Sequence, residues 1–160
     1  MGQVTLTSVL ADPTRSMRGT LSVIGNGCVV TTTADISAPL SNSFKFLEVL
    51  FPIENNNFHL HLENFTISNF GNSSIDGSGL YLVNLGSGSL SHMIFSENIG
   101  RDGGAVYIDS SNDIELQYCI FKDNNASVYG GGVYVESESD RLSFLDCSFF
   151  ANFAVEDGGV

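Results

Sequence analysis

The sequence predicts an all-β protein that winds as a parallel β-helix, a solenoid of stacked rungs. A block of about 27 residues returns along the chain, which is typical of repeat architectures. Inside each copy, short stretches alternate apolar and polar residues, as strands with one buried face do. Turn-forming residues separate these stretches. Three short strands and three bends leave no room for a helix of ordinary length, roughly 11 residues, so one copy is one rung.

The spacing of equivalent residues defines the repeat. One column has steps of 26, 27 and 28 residues, and an apolar column has steps of 28, 26 and 28. The first column is Asp76, Asp102, Tyr129 and Asp157, and the second is Phe65, Met93, Cys119 and Cys147. The motif F-x-x-N recurs at Phe95/Asn98, Phe121/Asn124 and Phe149/Asn152. We expect about six rungs of 26–28 residues, with the N-terminal ones irregular.

The elements divide at residue 59. Residues 1–59 should form irregular rungs and a cap, because the open end of a β-helix exposes unpaired backbone groups. Alternating segments predict strands at Val4–Leu10, Leu21–Ile24 and Cys28–Val30, and Pro52–Asn57 is typical of a loop. Residues 60–160 should form the regular β-helix, continuous with the first part in one domain.

Two kinds of motif alternate along the repeats. FSEN, FKDN and FFAN alternate with GGAV (Gly103–Val106) and GGGV (Gly130–Val133). These motifs resemble the repeats of chlamydial polymorphic outer-membrane proteins. The resemblance covers residues 60–160 and implies a right-handed parallel β-helix. It also implies a surface adhesin or autotransporter passenger without catalytic residues in the motifs. The first copy departs from the pattern, since Ile67-Ser-Asn-Phe70 replaces F-x-x-N and Ser78 replaces a glycine.

Composition narrows the function classes. Eighteen acidic and six basic residues give a net charge of −12, and 42% of the residues are hydrophobic. This composition indicates a folded protein, and the charge disfavours nucleic acid, which needs a basic patch. No apolar run reaches the 18 or more residues of a membrane span. The N-terminus lacks the continuous apolar core of a secretory signal.

Two columns should be structural. Asn98, Asn124 and Asn152 should stack at one corner, where amide side chains bond to the backbone above and below. Cys119 and Cys147 should stack in the core as small buried residues, because parallel neighbours in register seldom offer disulfide geometry. Cys28 has no assigned role.

A tyrosine column is the predicted binding face. Tyr81, Tyr107 and Tyr134 each follow an inward aliphatic residue and should point outward from successive rungs. Exposed rings could hold a carbohydrate or a surface-protein ligand. The alternative is that the tyrosines only stack on one another and stabilise the sheet.

Other candidates are weaker. The stacked carboxylates of Asp76 and Asp102 could hold calcium, but Tyr129 interrupts their column, so no metal or cofactor is expected. His59 and His61 are interpreted as ordinary surface residues. Asn64, Asn72 and Asn125 begin N-x-S/T triplets, which are permissive for glycosylation in a secretory route.

The favoured function is a non-catalytic structural or adhesive module, extracellular or on the cell surface. Its open C-terminal rung should meet further β-helix rungs or other copies of the chain, and copies stacked head to tail would form a filament. The alternative is a polysaccharide-active lyase or hydrolase, or its remnant. Such an enzyme needs clustered acids or bases in a groove, whereas the acidic residues here are scattered along the repeats.

Overall fold

The computed structural model of the chain describes residues 19–31, 46–136 and 138–158. Every regular element within them is a β-strand, and all the paired strands run parallel. The strands are β1 (Gly19–Thr31), β2 (Leu47–Ser68), β3 (Leu80–Ser91), β4 (Ile94–Ser96), β5 (Ile99–Gly100), β6 (Val106–Asp109), β7 (Ile114–Gln117), β8 (Ile120–Lys122), β9 (Asn125–Ala126), β10 (Val133–Val135), β11 (Ser143–Leu145), β12 (Ser148–Phe150) and β13 (Phe153–Ala154). The described residues contain no helix long and apolar enough to cross a membrane.

The strands stack in columns, one member per turn. Leu47 pairs with Leu80, Leu80 with Val106, and Val106 with Val133, so successive turns take 33, 26 and 27 residues. The described residues thus complete three turns, residues 133–158 add most of another, and β1 pairs with β2 on the other side. The number of rungs in this part of the chain differs slightly from the six or so expected for the whole chain.

The difference lies in the first turn. Pro52–Asn57, predicted as a loop, lies inside β2, whose pairing with β3 shifts register between Leu50 and Asn55 and between Asn55 and His59. The extra residues lengthen this turn and leave fewer residues for further rungs. The predicted strands Leu21–Ile24 and Cys28–Val30 both lie within β1, and a register shift falls between Ile24 and Cys28. The predicted strand Val4–Leu10 lies outside the described residues, as does most of the region assigned to the cap.

Inward side chains form continuous ladders along the axis of the solenoid. The rings of Phe95, Phe121 and Phe149 stack with centroids 4.9 and 4.7 Å apart and interplanar angles of 4°. This distance is close to the spacing of neighbouring strands. Phe95 and Phe121 have no exposed surface. Each rung therefore buries the inner surface of the next.

The two glycines of each repeat pair are needed at the corner for different structural reasons. Gly103 and Gly130 have φ values of 65° and 60°, in the left-handed region that favours glycine. Gly104 has no such constraint, but a Cβ there would lie 2.2 Å from the carbonyl oxygen of Gly131 in the next rung. In the first copy, Ser78 is accommodated with no exposed surface, and its hydroxyl donates a hydrogen bond to the Gly104 carbonyl.

Candidate binding face and its supporting ladders

The tyrosine column forms one row on the outward face of a sheet. Tyr81 pairs with Tyr107 and Tyr107 with Tyr134, and Glu48 precedes them in the same row. The ring centroids are 4.9 Å apart for Tyr81 and Tyr107 and 5.8 Å apart for Tyr107 and Tyr134, with interplanar angles of 10° and 33°.

The burial of this row differs from the expectation of three exposed rings. Tyr107 is only 6% exposed, because its two neighbours cover it, whereas Tyr81 and Tyr134 are half-buried. In such a stack the ring faces turn toward each other along the axis. The ring edges and hydroxyl groups are left to face outward, so the row offers little flat ring surface for a sugar.

Carboxylates lie beside the row, two residues further along the same strands. Asp109 follows Tyr107 at this spacing, and Glu136 follows Tyr134, so alternation places them on the same face. The Glu136 N–H donates to the Ile108 carbonyl at 2.8 Å, which continues the ladder and sets Glu136 next to Asp109. Tyr107 donates its hydroxyl to Glu136, and the Ser110 hydroxyl donates to Asp109 at 2.9 Å.

A second acidic row lies at the corner before these strands. Asp76 accepts the backbone N–H of Asp102 at 3.3 Å, and Asp102 accepts that of Tyr129 at 3.2 Å. The Arg101 guanidinium spans both carboxylates, at 3.1 Å from Asp76 and 3.0 Å from Asp102. Asp76 thereby raises the pKa of Arg101. The two weak calcium candidates thus face a guanidinium, and no three His, Cys, Asp or Glu side chains converge as metal ligands among the described residues.

The acidic surroundings alter the tyrosines. Burial raises the pKa of the Tyr81 phenol, and the nearby carboxylates of Asp76 and Glu48 raise it further, because they oppose a phenolate charge. Tyr129, whose ring stacks on Tyr134 at 5.7 Å, hydrogen-bonds to Glu156, and this bond raises its pKa. The face therefore combines neutral phenols with carboxylates.

The asparagine column forms a hydrogen-bonded ladder inside one corner. The Asn98 amide donates to the Asn124 side-chain oxygen at 3.0 Å, and the Asn124 amide donates to that of Asn152 at 2.9 Å. Each of these oxygens also accepts the backbone N–H of the preceding ladder residue, at 3.1 Å in both cases. Phe70 holds the asparagine position in the first copy, and its N–H donates to Asn98 at 3.1 Å.

The two cysteines of the apolar column are free thiols. Cys119 is fully buried, and its Sγ donates to the Leu90 carbonyl at 3.5 Å. Cys147 is half-buried, with Sγ 3.4 Å from the Leu116 carbonyl. Burial raises the pKa of Cys119 to about 12, so this thiol is not poised as a nucleophile.

The three glycosylation triplets differ in access. Asn64 is exposed, with a φ of 59°, and Asn125 is exposed at the start of β9, whereas Asn72 is half-buried. The Ser127 hydroxyl of the last triplet donates to the Ser73 carbonyl at 2.8 Å. This bond connects the triplet to the backbone of a rung 54 residues earlier in the chain.

The outward histidines belong to a polar network that sequence reasoning missed. The ring of His59 lies 2.9 Å from the Ser87 hydroxyl and 3.2 Å from the Ser89 hydroxyl. His61 lies 2.8 Å from Ser89 and 3.4 Å from Glu63. A serine–imidazole–carboxylate chain can activate a nucleophile. This one lies on the surface of β2 and β3, where it links side chains of the two neighbouring strands. Alternation along β2 and β3 could have revealed the network.

The C-terminal rung presents apolar inward side chains. Val133, Val135, Phe144 and Phe149 line a cavity of about 250 Å³. Val135 and Phe144 are each 39% exposed, although alternation directs them inward. A further rung would cover this surface.

Stacked parallel strands in register, with amide and aromatic ladders inside them, define a β-solenoid. The chain belongs to the right-handed β-helix family, since the family model described as "Right handed beta helix region" matches residues 50–160. The predicted right-handed parallel β-helix is thus confirmed, while the chlamydial type of repeat remains a resemblance. Searches of curated proteins and of solved structures give no match.

Proposed function

We propose that this chain is a non-catalytic structural and adhesive β-helix module, displayed outside the cell or on its surface. The observation that carries the proposal is the face built by Tyr81, Tyr107 and Tyr134 together with the carboxylates on either side of them. We call it the tyrosine face. The other ladders are engaged in holding the rungs together, whereas this row turns aromatic edges, hydroxyls and charges outward.

The C-terminal rung supports a structural role. Its uncovered apolar side chains are those that the next rung would bury, at about 25 cal/mol for each Å² of apolar surface removed from water. The partner that fits this surface is a further β-helix rung, from the same polypeptide or from another copy of the chain. Copies joined in this way would extend as a filament, because a head-to-tail contact of a solenoid does not close on itself.

The test of the adhesive role is a binding screen against arrays of glycans and of surface proteins. The double variant Tyr81→Ser/Tyr134→Ser removes the two half-buried rings of the tyrosine face. Tyr118→Ser is the matched control, because Tyr118 is 46% exposed and its ring contacts that of His92 elsewhere on the surface. The proposal is supported if the double variant loses binding and the control keeps it, with unchanged circular dichroism. Equal binding by the unmodified protein and the two variants would refute the adhesive role of this face.

The enzyme alternative has its own readout. The protein is incubated with acidic and neutral polysaccharides, and reducing ends and unsaturated products are measured. The proposal expects neither product. Either product, at a rate proportional to protein concentration, would overturn the non-catalytic assignment.

A further inference from the structure

Among the described residues, the tyrosine face carries more negative than positive charge. Its described carboxylates are Glu48, Asp76, Asp102, Asp109, Glu136, Glu156 and Asp157, and its described cation is Arg101. The carboxylates lie on both sides of the aromatic row. We propose that the tyrosine face docks a basic polypeptide segment, with arginine side chains seated against these carboxylates. The inference rests on the proposed adhesive function and names its class of partner.

The arrangement of Asp109 and Glu136 favours a positive partner over a neutral one. The two carboxylates are neighbours on adjacent parallel strands, and like charges in that position repel. The hydroxyls of Ser110 and Tyr107 each donate a hydrogen bond to one of them, which satisfies acceptors but adds no positive charge. A cation placed between them would remove the repulsion.

The structure already seats one guanidinium in this way. Arg101 lies across Asp76 and Asp102, with nitrogen–oxygen distances of 3.1 and 3.0 Å. A planar guanidinium matches two carboxylates better than a compact ammonium does. The alkyl part of an arriving arginine would pack along the outward ring edges of Tyr81 and Tyr134. Because the ring faces stack on one another, little flat ring surface remains for a sugar, and this favours a peptide partner over a carbohydrate.

The experiment measures binding of a fluorescein-labelled octa-arginine peptide by anisotropy, at about 50 and 150 mM salt. The site variant is Glu48→Gln/Asp109→Asn/Glu136→Gln, which keeps the side-chain shapes and the acceptor for Tyr107. The control variant is Glu97→Gln/Glu115→Gln/Asp123→Asn, three exposed carboxylates elsewhere on the chain. Both variants remove three negative charges, and circular dichroism with thermal melting checks that both remain folded.

We expect the site variant to weaken binding at least about tenfold at the lower salt and the control less than about twofold, since screening limits the effect of distant charges. Equal weakening by the two variants would mean attraction by net charge alone and would overturn the inference. Absence of binding by the unmodified protein would also overturn it. Neither result would refute the adhesive proposal, because that proposal is tested separately by the binding screen with the tyrosine double variant.

Discussion

Replacing Asn124 by alanine tests how much the amide ladder contributes to stability. The Asn124 side chain is 1% exposed and makes four hydrogen bonds, to Phe95, to Asn152 and twice to Asn98. At about 1 kcal/mol net for each bond, the loss is roughly 4 kcal/mol. The variant also leaves the Asn98 N–H without its acceptor in a buried corner, which adds to the cost.

Asn152→Ala is the matched control within the same ladder. Its side chain makes three hydrogen bonds, but Asn152 is half-buried, so water can replace part of what is lost. We expect it to lower the free energy of unfolding by about 1–2 kcal/mol. Urea titrations of both variants measure the difference, read from the midpoint at an unchanged slope. Equal destabilisation by the two substitutions would refute the claim that burial increases the free energy lost when the ladder's hydrogen bonds are removed.

Three further predictions follow from local geometry. Gly104→Ala should lower the free energy of unfolding by about 3 kcal/mol or more, because its Cβ would meet the Gly131 backbone. Gly88→Ala should lower it by less than about 1 kcal/mol, because its Cβ would lie 3.3 Å from the flexible end of the Ile114 side chain. Thermal melts of the two variants measure the difference, and equal shifts of the melting temperature would contradict the prediction. Iodoacetamide at pH 8 should modify Cys147 well before Cys119, whose pKa is raised to about 12, and mass spectrometry of the two peptides reports the order; comparable rates would mean that Cys119 is not buried. Because the pKa of Tyr81 is raised above its ordinary 10.0, its contribution to stability is complete below pH 10 and is lost as pH rises through the folded-state value. Unfolding titrations above pH 9 should therefore show a steeper fall for the unmodified protein than for Tyr81→Phe, and parallel curves would contradict the shift.

The regular rungs could be predicted because their signals are local and repeat. The F-x-x-N motif predicts a hydrogen-bonded corner, since its asparagine donates to the backbone in the same way in the three rungs that carry it. The glycine pair predicts a tight bend for the same reason. The long first turn was missed because Pro52–Asn57 has the composition of a loop, while pairing with β3 draws it into a strand.

The candidate face was predicted only in part. Sequence spacing identifies Tyr81, Tyr107 and Tyr134 as one row, but exposure depends on how closely neighbouring rungs stack, and this leaves Tyr107 almost covered. The acidic rim was missed for a different reason. Asp109 and Glu136 each lie two residues after a tyrosine of the column, so the 27-residue step that aligns Tyr107 with Tyr134 also aligns these carboxylates, and the expectation stopped at the tyrosines.

Nitration by tetranitromethane, mapped by peptide mass spectrometry with and without octa-arginine, tests the central claim most directly. We expect Tyr107 to be nitrated slowest and Tyr118 readily, because the two residues are 6% and 46% exposed. We also expect the peptide to protect Tyr81 and Tyr134 and to leave the nitration of Tyr118 unchanged. Modification of Tyr107 as fast as Tyr118 would contradict the stacked row. Equal protection of Tyr118 would contradict the assignment of this face as the one that binds.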